Sequence, residues 1–122
     1  MTTDRELLEA AAKAAGLKFC GLDPRVPTWT LVEGERGIYG HQRWAWSPLE
    51  DDGDALRLAV KLRFHVNIFS AMTAEGIHSP GFVEIWDSNA EDLIHTEGVD
   101  GGDYESATRR AIVRAAAWKL GD

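Results

Sequence analysis

The run W-A-W-S-P-L-E-D-D-G-D-A-L-R-L-A-V-K-L, from Trp44 to Leu62, constrains the fold of this chain more than any other segment. Trp44 and Trp46 are two residues apart, so on an extended chain they share a face. Ser47 then offers a helix cap, Pro48 suits the first helical position and Glu50 the third. A second helix start lies at Asp51 or Asp52. Either start gathers the acids where the helix dipole favours negative charge. From Ala55 to Leu62 only Arg57 and Lys61 are polar, which predicts a helix buried on most sides.

The flanking elements follow from the same reasoning. Thr3-Asp4-Arg5-Glu6 reads as a capping box, and Leu7, Leu8, Ala11, Ala12 and Ala15 recur at helical spacing, predicting a helix over 4–15 that Gly16 ends. Asp23-Pro24-Arg25-Val26-Pro27 blocks helix and central strand, leaving an irregular stretch with extended pieces. Thr28 to Val32 is β-branched and aromatic. With a turn at residues 33–37 it predicts a hairpin to a strand over Ile38 to Trp46.

Phe64 to Met72 alternates as a strand. Ala74 to Gly81 reads as a loop, Phe82 to Trp86 as a strand, Asp87 to Ala90 as a turn, and Leu93 to Thr96 as a returning strand. Asp103 caps a last helix whose apolar face is Ala107, Ala111, Ile112, Ala115, Ala116 and Leu120. Its alanines predict close approach to a neighbour. Glu105 and Arg109 are spaced to pair, and Arg110 and Arg114 line up as a solvated stripe.

Hydrophobic residues make up 44% of the 122, enough for one core in a single domain over residues 1–122. The expected fold class is α+β: a small, mostly antiparallel sheet with helices on both faces, an alpha-beta-alpha sandwich. No apolar run approaches the roughly 18 residues of a membrane helix. The opening M-T-T-D-R-E lacks the basic and apolar regions of a signal peptide. The expected location is the cytoplasm, with no membrane partner. Cys20 is the sole cysteine, so no intrachain disulfide forms, and it reads as a small buried hydrophobe. A net charge of −7 argues against a nucleic-acid partner and favours a basic or neutral protein partner.

The pattern W-S-P-L-E-D-D-G-D-A-L-R-L-A-V-K-L, the later A-T-R-R-A-I-V-R-A-A-A and the opening E-L-L-E-A-A-A-K-A-A-G resemble the phage ABA-sandwich family of small phage and prophage proteins. The matching pieces span Glu6 to Ala117. The resemblance implies a helix–sheet–helix sandwich and a phage or prophage origin. It implies no activity, since no catalytic residue carries over.

Asp51, Asp52 and Asp54 could bind a hard cation, but D-D-G-D lacks the calcium-loop frame and dipole capping explains the acids. Asp100-Gly101-Gly102-Asp103 precedes a helix, yet its aspartates would repel a phosphate. His65 and His95 fall on predicted strands and could meet Glu84 or Asp87. That would be the acid/base set of a metal-dependent hydrolase. The surplus of tryptophans offers more: Trp44 and Trp46, one of them joined by Trp29, could build a core wall or an exposed aromatic patch. The expectation is a non-enzymatic accessory protein acting by protein–protein contact or as a homo-oligomer, without a cofactor. A hydrolase and an acidic DNA-mimic inhibitor of a host DNA-binding protein are the alternatives.

Overall fold

A computed structural model of the chain describes residues 3–23, 26–72, 78–89 and 91–121. Residues 24 and 25 of the proline stretch, 73–77 of the predicted loop and residue 90 of the predicted turn lie outside that description. So do the side chains of Thr28, Met72 and Leu120.

Helix α1 runs Asp4–Ala14. The Thr3 hydroxyl oxygen accepts the Glu6 N–H at 3.1 Å and donates to the Glu6 carboxylate at 3.1 Å, closing the expected capping box. Gly16, at φ +77°, takes the left-handed turn that ends the helix.

Three strands follow: β1 (Lys18–Asp23), β2 (Val26–Glu35) and β3 (His41–Trp46). Strands therefore reach into the stretch expected to be irregular from both sides, β1 ending at Asp23 and β2, the middle strand of its sheet, opening at Val26. Ile38, expected on a strand, sits instead in a short helical turn over Gly37–Tyr39. The Gly40 carbonyl closes that turn by accepting the Arg36 N–H at 2.8 Å.

Helix α2 runs Asp52–Lys61, so the later of the two starts is the real one. Asp51 is its cap and accepts the Asp54 N–H at 2.8 Å. Ser47 and Pro48 instead form a turn, in which the Ser47 carbonyl accepts from Glu50 and Asp51.

Strands β4 (Phe64–Met72), β5 (His78–Asp87) and β6 (Asp92–Gly98) come next, then helix α3 (Tyr104–Gly121). Asp103 caps α3 by accepting the Ser106 N–H at 3.0 Å.

The α+β class holds, but the strands do not form one sheet. They form two antiparallel three-stranded sheets, ordered β1-β2-β3 and β4-β5-β6. Each is a meander of consecutive strands, and α2 carries the chain from one to the other, so β3 never reaches β4. Helix α1 packs on β1, α2 on β4, and α3 on β4, β5 and β6. Helix α3 also packs on α1 and α2.

One hydrophobic cluster joins every layer. Val32 and Trp46 enter it from the first sheet, Val83 and Ile85 from the second. Ala11 and Ala12 of α1 and Ala111, Ala115 and Ala116 of α3 are fully buried. Their short side chains allow the close helix approach the alanines predicted. No helix among the described residues is long and apolar enough to cross a membrane.

Candidate functional site

The three aspartates at the start of α2 have separate duties. Asp51 caps the helix. Asp54, only 5% exposed, accepts the Ser47 N–H at 3.0 Å and an Arg57 N–H at 2.7 Å. Asp52 pairs with Arg109 of α3 at 2.6 Å. Asp51 and Asp54 share Arg57 while Asp52 turns to α3, and no group of three or more His, Cys, Asp or Glu among the described residues is arranged to hold a metal.

The expected histidine constellation does not converge. His65 pairs with Trp86 and Asn67 with Glu84 across β4 and β5, while His95 pairs with the buried Ile85. Strand side chains alternate, so His95 shares the core-facing side with Ile85. His65 and Glu84 lie on the other side. Glu84 accepts the Trp86 indole N–H at 3.1 Å, and Asp87 pairs with Lys119 at 3.3 Å.

His95 has a different carboxylate beside it. Its Nε2 lies 2.7 Å from Glu97 Oε1, and Arg114 donates to both Glu97 oxygens at 2.8 and 2.7 Å. Arg110 reaches Asp4 of α1 at 3.0 Å. The arginines read as a solvated stripe are therefore ties from α3 to β6 and α1. The Arg110 hydrogen bond holds the Asp4 carboxyl below its ordinary value, and the Arg110 and Arg114 charges add to this. Asp4 in turn raises the Arg110 value. Arg109 likewise bonds Asp52 and the Leu49 carbonyl. Carboxylates and cations thus alternate along the contacts of α3.

The tryptophans divide. Trp44 pairs with Val32 and Trp46 with Thr30, both on the buried side of β2, so the two share a face as expected. Trp46 is buried, and Trp44 is half-buried beneath the Arg36 guanidinium, 5.0 Å from the ring centroid. Trp29 precedes the inward Thr30 on β2 and so takes the opposite face. It does not join the core wall. Cys20, expected buried, is half-buried with its thiol 3.6 Å from the Lys18 carbonyl.

An unexpected apolar surface lies on α2. Ala55, Leu58 and Ala59 are buried, but Leu56 is 64% exposed and Val60 68% exposed. The helix is not buried on most sides. Leu56 and Val60 are four residues apart and so adjacent on the helix surface. Leu56 lines a groove of about 380 Å³ between α2, β4 and α3. Ala55, Ala59, Val66 and Ile112 form its apolar walls. Ile68 of β4, 55% exposed, continues it. Tyr104, Glu105, Asp52 and Arg109 stand around it. Thr108 lines it as well, and its buried hydroxyl has no hydrogen-bond partner among the described residues. The sequence signal for the groove is Leu56, an apolar residue off the buried Ala55–Leu58–Ala59 face, but only the packing shows that no neighbour covers it.

No family model matches the chain, and no curated protein or solved structure is significantly similar to it.

Proposed function

We propose that this protein works by protein–protein contact, without catalysis, through the groove between α2, β4 and α3. One observation carries the proposal: Leu56 and Ile68 are both more than half exposed in the same groove, and Val60, also exposed, lies one turn on from Leu56 along α2. Apolar side chains grouped in a concave, water-facing surface favour burial by a partner. The occupant is an apolar segment of another protein flanked by basic residues. Asp52 and Glu105 stand at the groove, and Arg109 is already tied to Asp52. The rim is thus left net acidic, and the whole chain carries −7. Complementary charge would speed encounter and set orientation.

A phage or prophage origin, the helix–sheet–helix layering of the resembled family and action in the host cytoplasm belong to the same proposal. They rest on the residue patterns alone.

The test uses a synthetic amphipathic peptide of leucines and lysines at helical spacing. Amide chemical shifts should move along residues 55–60, 66–68 and 108–112. Leu56→Glu and Ile68→Glu, which leave the buried cluster untouched, should abolish the shifts while melting stays near that of the parent. Shifts elsewhere, or binding unchanged in both variants, overturn the groove as the docking site. A concentration-dependent dimer mass in light scattering, lost in the same variants, replaces the foreign partner with a second copy of the chain.

A further inference from the structure

The opposite side of α2 carries a second concave site of different chemistry. A pocket of about 230 Å³ lies between this helix and the first sheet. Trp44, Trp46 and Leu58 give it an apolar, largely aromatic lining, and Arg36, Arg57 and Lys61 stand around it. Glu35 is the single acid in its lining, and it lies 3.8 Å from His41 on its own side. Arg57 is shared with Asp54 and Asp51. Arg36 and Lys61 have no carboxylate partner among the described residues. In a chain with 20 acids and 13 bases, this concentration of cations is the local exception.

We infer that this pocket binds a small aromatic carboxylate, its ring against Trp44 and Trp46 and its carboxylate between Arg36 and Lys61. The size suits that class, since a cavity of about 150 Å³ already takes benzene. Indole faces favour an offset-stacked or edge-on ring. An apolar floor lowers the local dielectric, so paired cations attract an anion more strongly there than on open surface. Arg36 already lies over the Trp44 ring, which holds its guanidinium at the pocket while leaving N–H donors for a carboxylate. This inference is independent of the groove, because the two sites use different faces of α2.

The probe is 2-naphthoate, with the neutral 2-naphthamide as its counterpart, titrated into the protein by calorimetry and followed by indole N–H chemical shifts. Naphthoate should shift the Trp44 and Trp46 indole signals and bind at least tenfold more tightly than the amide. Its affinity should fall with added salt. The double variant Arg36→Gln, Lys61→Gln should lose at least tenfold in naphthoate affinity with little change in naphthamide affinity. Equal affinity for acid and amide, indifference to the double substitution, or shifts confined to the Leu56–Ile68 groove would each overturn the assignment. The salt dependence and the acid–amide comparison are read on the parent chain, so the test stands if the variant folds poorly.

Discussion

The Asp54 carboxylate accepts the backbone N–H of Ser47 at 3.0 Å, with both residues buried. This bond fastens the end of β3 to the first turn of α2, across the W-S-P turn. It holds Trp46, one residue before Ser47, against the core.

Replacing Asp54 with alanine should cost about 2 kcal/mol, because the buried Ser47 N–H loses its charged acceptor. Arg57 is mostly exposed, so its own loss adds little. Asp54→Asn, which keeps an acceptor, should cost about half as much. Urea unfolding of the three proteins measures both differences.

Asp4 and Arg110 give a pH signature. The Asp4 carboxyl is held below its ordinary value of 3.8 by the Arg110 hydrogen bond. A depressed folded value means the pair stabilises the fold above the unfolded value and stops doing so as pH falls through the folded one. Asp4 is largely exposed, so Asp4→Asn should cost only about 0.2–1 kcal/mol at neutral pH. That difference should shrink as pH falls below 3.8 and vanish once pH has passed the depressed folded value. Melting curves of parent and variant across pH 2–7 (roughly the span over which carboxylates titrate) check the sign.

Gly81 has no room for a side chain. A Cβ there would collide with the Tyr104 hydroxyl and lie 2.5 Å from the Phe69 carbonyl oxygen. The Gly81 carbonyl also accepts the Val99 N–H at 2.9 Å, joining β5 to the turn before α3. Gly81→Ala should destabilise by about 1–3 kcal/mol through overpacking. Adding Tyr104→Ala should not rescue it, because the backbone collision remains. Chemical denaturation of the single and double variants measures this.

The alanine contact between α1 and α3 predicts a second overpacking site. Ala115 is fully buried, and Ala115→Leu should cost about 1–3 kcal/mol. Ala115→Gly should cost about 1 kcal/mol through helix propensity. A leucine that raised stability in thermal unfolding would mean the core has unfilled room at this position.

A sequence signal is legible where both interacting partners lie close together in the chain. Thr3 and Glu6 mark the start of α1 because both partners of the cap lie within one turn. The start of α2 was ambiguous because Ser47-Pro48 and Asp51 both fit a cap. The choice falls to Asp51 because Ser47 is drawn into a turn and gives its N–H to Asp54, a contact across seven residues. The face occupied by His95 or Trp29 depends on strand register, and a slip of one residue reverses it. Arg110 and Arg114 looked solvated because nothing near them in the chain announces Asp4 or Glu97. The groove was hidden for the opposite reason: an apolar helix surface predicts burial, and only the placement of neighbours shows which part stays bare.

Helix α3 covers the second sheet and packs on both other helices, yet it comes after all of them in the chain. Synthesis runs from the N-terminus, so each surface that α3 will cover leaves the ribosome before α3 does. Until residues 104–121 emerge, Val83 and Ile85 lack their covering helix and Ala11 and Ala12 lack their partner. The nascent chain must hold two half-dressed meanders apart from each other and from their neighbours, and its final collapse waits on a single late arrival.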